Sequence, residues 1–303
     1  MAGVVGRQPA EPPIVSMGST GPPYVEEPFF IRDHIVIDGA QVTRPSIDPY
    51  REPVESHVYL CGGRLRLSMP VVVKLGHHLS NSFREGVVRA CYCMGVLVMI
   101  DNPTGLEKYG EGLLTEPAYV GDGVYAGYYG EPSRCRESGK PFFAHVGAST
   151  DFLWLGPVLE HVSGIVVDED LGGVDDVEVV VSLLDRELRR HGVRNSVSLV
   201  AGGWSVRGAD DIFKLVALGA DAVMLSTCVE KALEPLLTHD TSHVQEKMEN
   251  LLLGLQREIK LLAGAAGVSN IFNTIVGNRE LLRAVELPRD IRALLSIKLA
   301  GEG

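Results

Sequence analysis

The strongest constraint on the fold is a pair of Gly-marked strand ends set one helix apart in the C-terminal half. The first is Ser198-Leu199-Val200-Ala201-Gly202-Gly203, and the second is Asp221-Ala222-Val223-Met224-Leu225-Ser226-Thr227. Between them, Val206 to Gly219 carries Ile212, Leu215 and Val216 at helical spacing and closes on Leu218-Gly219-Ala220. Strand, Gly-Gly turn, helix, Gly, strand is a βα unit feeding the next parallel strand. In an α/β barrel, the loops after the last strands commonly hold phosphate through backbone N–H groups. Gly202 and Gly203 let a ligand approach the backbone, and Ser226 and Thr227 add hydroxyl donors. The four residues read as a phosphate site on a barrel; the same glycines would also serve plain tight turns at the rim.

Bulk properties narrow the options. The chain has 303 residues, 45% of them hydrophobic, which is enough for one barrel of about 250 residues with a full core. The net charge is −11, with no Lys/Arg-rich patch, so neither nucleic acid nor an anionic membrane is an expected partner. No basic start followed by an apolar run marks a secretory signal, and no apolar stretch reaches the ~20 residues that span a bilayer. A soluble, cytoplasmic protein is expected. The five cysteines, Cys61, Cys91, Cys93, Cys135 and Cys228, are irregularly spaced and read as ordinary thiols, not as disulfides or metal ligands.

Two regions follow from the pattern: an N-terminal extension with barrel-bottom strands over 1–67, and an α/β barrel of TIM type with C-terminal helices over 68–303. Residues 1 to about 28 are rich in Pro and Gly and read as extended. Ile31 to Ile37 and His57 to Leu67 read as short strands forming a lid over the barrel bottom. Strands are expected at Pro70–Leu75, Val96–Ile100, Pro141–Val146 and Gly164–Val167, with helices at Ser80–Met94, about Asp151–His161, and Asp176–His191. Leu106 to Gly139 is irregular, with two candidate strands near Ala118–Val120 and Val124–Tyr128. The tail from Val229 to Leu262 reads as helix, continued by Ile271–Val276 and Leu281–Val285. Alternation of strand and helix over some 160 residues favours a parallel sheet.

These residues resemble the flavin-binding synthase domain of glutamate synthase. The likeness starts at Ser68-Met69-Pro70-Val71-Val72-Val73 and continues through Leu97 to Gly105, ending in Asp101-Asn102-Pro103-Thr104-Gly105. Asp170-Leu171-Gly172-Gly173 corresponds to a His-Asp-Gly-Gly turn of the family. Val197–Gly203 and Gly219–Cys228 correspond to its two flavin-phosphate turns, and Leu251–Arg279 to its closing segment. The resemblance implies an oxidoreductase barrel binding flavin mononucleotide (FMN), with Gly202, Gly203, Ser226 and Thr227 on the phosphate and Asn102, Thr104 and His145 near the ring. Relatives carry a Lys near Ala144-His145-Val146, where this chain has His145; Ala201 replaces the Asp before Gly-Gly. Only Cys228 remains of a cysteine run that holds an iron–sulfur cluster, so no such cluster is expected. The losses leave a rival reading, a catalytically degenerate barrel kept as a structural or regulatory subunit. A third is a different phosphate-ligand barrel, such as an isomerase. A small-molecule substrate or a partner subunit is expected, in a homo- or hetero-oligomer.

Other candidates carry bland alternatives. Asp168, Glu169, Asp170, Asp175 and Asp176 could bind a cation or an amine, though Asp175 and Asp176 could equally cap the next helix. His77 and His78 could ligate a metal or move protons, though two adjacent histidines on a loop more often point apart. Lys74 could reach into the barrel or lie along its rim. No catalytic residue and no metal site is assigned.

Overall fold

The computed structural model describes residues 30–76, 78–116, 125–134, 139–173, 175–234 and 240–302. Its centre is a closed barrel of eight parallel strands: β1 (Val71–Leu75), β2 (Leu97–Ile100), β3 (Leu113–Thr115), β4 (Gly127–Gly130), β5 (Phe142–Ala148), β6 (Gly164–Gly173), β7 (Ser198–Gly203) and β8 (Ala222–Leu225). They pair in chain order, and β8 closes on β1 through Val223↔Val71 and its neighbours. Buried on both faces, such strands run apolar without alternation, as Leu97–Ile100 does and as Val71–Leu75 does apart from Lys74.

Helices sheathe the barrel: α1 (Asn81–Met94), the single turn α2 (Leu155–Val158), α3 (Val177–Arg190), α4 (Ala209–Leu218), α5 (Thr227–Leu233) and α6 (Thr241–Ala265). Ser80 caps α1 by accepting the Phe83 N–H, and Gly95 ends it in the left-handed conformation. On α3 the buried face comprises Val177, Val180, Val181, Leu184 and Leu188, each side chain contributing about 1.5–3 kcal/mol on burial. The helix expected over 151–161 shrinks to one turn. Ser149 and Asp151 hold their own loop by accepting backbone N–H groups, and Pro157 has no N–H for a longer helix.

Below the barrel, Val58–Leu60 and Leu65–Leu67 form an antiparallel hairpin. Its turn donates Cys61 N–H to Ser198 Oγ at the start of β7 (2.8 Å), while Arg64 reaches Ser163 Oγ before β6 (2.6 Å). The hairpin therefore covers the N-terminal end of the barrel. The first expected strand does not join it. Residues Ile31–His34 form a 3-10 turn, and Ile35–Ile37 pairs antiparallel with Leu282–Ala284, which is a strand and not helix. Ile271–Val276 likewise yields only the single turn Ile271–Thr274.

Three residues of the Gly- and Tyr-rich middle, Leu113–Thr115, make a barrel strand that no local pattern announces. Gly127–Gly130 lies close to the second candidate there; the first, Ala118–Val120, falls outside the described residues, as do residues 1–29, His77 and Cys135. Cys61, Cys91 and Cys228 are buried, and burial pushes all three thiols up, to about 12 for Cys61 and Cys228; Cys93 is exposed. Among the described residues no cluster could hold a metal ion, and no helix is long and apolar enough to cross a membrane.

Candidate functional site

The register carries four polar side chains inward at the C-terminal mouth. Reading the ladder around the barrel puts Lys74 of β1, Tyr129 of β4, His145 of β5 and Asp168 of β6 on the interior face, with Met99, Leu114, Val200 and Met224. They form one connected centre. Lys74 Nζ donates to Asp168 Oδ2 at 2.6 Å, and His145 Nε2 lies 2.6 Å from the same oxygen, so the ring donates to the ionised carboxylate. The Tyr129 ring meets His145 edge-on at 5.2 Å, and its hydroxyl donates to Asp101 Oδ1 at 2.5 Å.

Strand β6 does not stop at Val167. Pairing with β5 jumps from Gly147↔Asp168 to Ala148↔Gly173, so residues 169–172 make a four-residue excursion over the rim. Asp170 is its central side chain. Its Oδ2 takes a hydrogen bond from Lys74 (3.1 Å), and its Oδ1 takes one from Ser226 Oγ (3.4 Å). Its backbone N–H donates to Asp168 Oδ1. Glu169 accepts from Ser205 Oγ at 2.6 Å; Ser205 in turn accepts from Arg32, a fully buried guanidinium. Arg32 also lies at ion-pair distance from Glu178 (2.9 Å) and Asp211 (3.3 Å), without aligned hydrogen bonds to either.

Charge follows from these contacts. Burial disfavours the Lys74 ammonium, but Asp168 and then Asp170 outweigh it and hold its pKa above the ordinary value. Burial likewise opposes the Asp168 carboxylate, and hydrogen bonds from His145 and Lys74 override it and bring its pKa below the ordinary value. Burial pushes the Tyr129 hydroxyl up, and Asp101 adds to this; Glu169 is also pushed up by burial, against the Ser205 hydrogen bond. Lys74 is thus a fixed cation, not a neutral nucleophile.

The Asp168 shift predicts an acid limb. Folded Asp168 releases its proton at lower pH than the unfolded chain, where the carboxyl titrates near 3.8. Its contribution is therefore present in full above that value and lost as pH falls through the folded pKa. Chemical unfolding between about pH 5 and pH 2 should show stability falling with acid, and Asp168→Asn should flatten that fall.

Each residue proposed from sequence has a definite place. Gly202 and Gly203 end β7 with φ of 137° and 145°, in the region that excludes most side chains. A Cβ on Gly202 would stand 2.5 Å from Met224 O, and one on Gly203 would meet Glu169 Cβ at 3.0 Å and Asp170 Oδ1 at 3.2 Å. Ser226 is buried, and Thr227 opens α5 beside it. His145 belongs to the Lys74–Asp168 centre. Asn102 and Thr104 do not: they form an exposed turn past β2, where Asn102 Oδ1 accepts from Thr104 N–H (3.0 Å). His78 pairs with Glu230 of α5 (3.4 Å). Asp175 is bound by Thr150 N–H and Oγ1 and does not cap α3; Asp176 stands at the cap position but its side chain makes no capping bond.

An inward Lys–Asp–His centre at the mouth of a parallel barrel, beside Gly- and Ser-marked turns after β7 and β8, defines the class as an α/β barrel with its site at the C-terminal end. Residues 173–234 match the profile described as the conserved region in glutamate synthase. The archaeal glutamate synthase [NADPH] of Methanocaldococcus jannaschii is 24% identical over 412 residues, covering 91% of this chain and 80% of that protein. The archaeal-type enzyme of Thermotoga maritima is 24% identical over 415 residues, covering 95% and 80%. That of Archaeoglobus fulgidus is 34% identical over 155 residues, covering 42% and 29%. The two longer alignments exceed the 303 residues of this chain, so the relatives carry insertions against it. Among solved structures, the flavin-binding domain of baker's yeast flavocytochrome b2 aligns with TM-score 0.63 at 16% identity, covering 87% of this chain and 81% of that one. A mandelate oxidase mutant with a monooxide FMN adduct aligns with TM-score 0.59 at 16% identity, covering 80% and 86%. The chain carries a glutamate-synthase-like domain.

Proposed function

We propose that this chain is an FMN-binding oxidoreductase barrel of the glutamate synthase type, with the flavin phosphate at the turns after β7 and β8. The observation that carries the reading is the Asp170 carboxylate. An anion already stands at Ser226, against Gly203 and 3.1 Å from the Lys74 ammonium, and it is supplied by the protein's own β6 excursion. Phosphate would take over the place of that carboxylate, with Gly202, Gly203, Ser226 and Thr227 around it. The residues fit the group once Asp170 yields. When bound, FMN supplies hydride and electron transfer, and the protein supplies orientation and charge.

This chain's own residues have assignable roles. Lys74 keeps a positive charge at the mouth. Asp168 anchors His145 through Nε2, fixing the ring so that its other nitrogen can hold or pass a proton. Asn102 and Thr104 would meet the ligand from the β2 turn. An absorbance scan of purified protein, before and after addition of FMN and desalting, tests the reading. A retained band near 450 nm is expected. Colourless protein that ignores added FMN overturns it and favours a non-catalytic barrel joined to a partner subunit.

A further inference from the structure

At the opposite end of the barrel lies a cleft of about 560 Å³, within the size range of small-ligand sites. The bottom hairpin tip, Gly62-Gly63, forms one wall, and Tyr59 and Phe272 form an edge-to-face aromatic pair (5.4 Å) on another. Arg189, Asn195, Ser198 and Asn273 line the rest with Arg194 and Asp221.

The charges there are unequally used. Asp185 of α3, fully buried, takes hydrogen bonds from Arg189 (3.0 Å), Arg194 (2.7 Å) and Arg279 (3.0 Å). Arg194 directs its remaining nitrogens to Asp221 and Gly219 O; Arg279 donates from Nε to Ser182 Oγ and from the Nη2 that meets Asp185 to Ser182 O and Leu218 O as well. These two arginines tie α3 to the β7–β8 connection. Arg189 takes no part in that tie. Only its Nε is engaged, its side chain is 52% exposed, and its two terminal nitrogens have no hydrogen bond among the described residues. Among the lining residues two guanidinium groups, Arg189 and Arg194, stand against one carboxylate, Asp221, which leaves the cleft one positive charge in excess. Ser198 adds a donor. Its hydroxyl, in a residue only 5% exposed, accepts the Cys61 N–H and has its own proton left to give. The exposed side-chain amides of Asn195 and Asn273 also make no hydrogen bond among the described residues.

We propose that this cleft binds a nucleoside monophosphate, a planar ring joined to an oxyanion. The phosphate meets Arg189 and the two amides, and the base lies over Gly62-Gly63 against Tyr59 and Phe272. A guanidinium with two free terminal nitrogens suits phosphate, and aromatic edges with open glycine backbone suit a flat ring. The site is separate from the barrel mouth.

Equilibrium dialysis or calorimetry with AMP on the intact protein, with and without saturating FMN, tests this. Binding of AMP is expected in both conditions, with inorganic phosphate or adenosine alone at least tenfold weaker. Arg189→Ala should weaken AMP at least tenfold. Asn273→Ala, at an exposed position outside the Asp185 cluster, should weaken it severalfold and serves where Arg189→Ala does not fold. No binding at millimolar AMP, binding indifferent to both substitutions, or displacement of AMP by FMN would each overturn the proposal. The last outcome would assign AMP to the mouth and leave the FMN reading standing.

Discussion

Replacing Asp168 by Ala should lower the unfolding free energy by about 3–5 kcal/mol, the usual cost of removing one partner of a buried ion pair. Asp168 is fully buried, and its Oδ2 takes hydrogen bonds from both Lys74 and His145. The substitution leaves the ammonium of a mostly buried lysine without its nearest counter-charge, and the remaining carboxylate, Asp170, is bound to it more loosely at 3.1 Å. Lys74→Met alone should cost less than Asp168→Ala, because Asp168 keeps His145. The double variant Lys74→Met/Asp168→Leu should recover part of the loss, since apolar side chains of similar size often replace a buried pair without penalty. Denaturant titrations of the unaltered protein, Lys74→Met, Asp168→Leu and the double variant give the coupling energy directly. Simple additivity, with the double variant as unstable as the sum, would show that the two groups do not act as a pair.

That pair also marks how far the sequence can be read. Lys74 is the polar residue in an apolar five-residue strand, and Asp168 follows the four apolar positions Gly164–Val167 of a later clear strand; each pattern signals a side chain at a strand end. What joins them is the closure of the barrel, a contact across 94 positions that no local pattern carries. The strong βα units, α1, α3 and β7–α4–β8, are legible because a covered parallel strand and an amphipathic helix each have their own periodicity. The strand Leu113–Thr115 is not, because three residues set among Gly and Tyr have no period to detect. Leu282–Ala284 reads as helix in the sequence because its strand pairing is to Ile35–Ile37, nearly the whole chain away. The buried Arg32 has no signal either: an arginine beside apolar residues looks like surface until Glu178, Asp211 and Ser205 converge on it. Gly202, Gly203 and Ser226 are legible because chain direction alone sets them at the mouth. Asp170, past the visible end of its strand, is recognisable as an acid but not as the group that lies against them.

Asp170→Asn should tighten FMN retention by about tenfold, equal to about 1.4 kcal/mol. On the proposed placement, an incoming phosphate would have to displace a like-charged carboxylate from Ser226 and from Lys74. Two unit charges about 4 Å apart repel by about 4 kcal/mol at an effective dielectric constant of 20. Asp170 is partly exposed, so solvent screens part of that repulsion. Asn keeps the size of the side chain and a hydrogen bond to Ser226 while removing the charge, and it frees Lys74 to face the phosphate. Fluorescence quenching of FMN titrated with each protein measures the two dissociation constants, and the gap should narrow as salt screens the mouth. The sign of the change separates two roles for the β6 excursion. Tighter binding in the variant means that Asp170 competes with the ligand for the turn and sets a threshold that FMN must overcome. Weaker binding means that the carboxylate instead orders Lys74 and Ser226 for the ligand, and the phosphate would then have to sit beside Asp170 and not in its place.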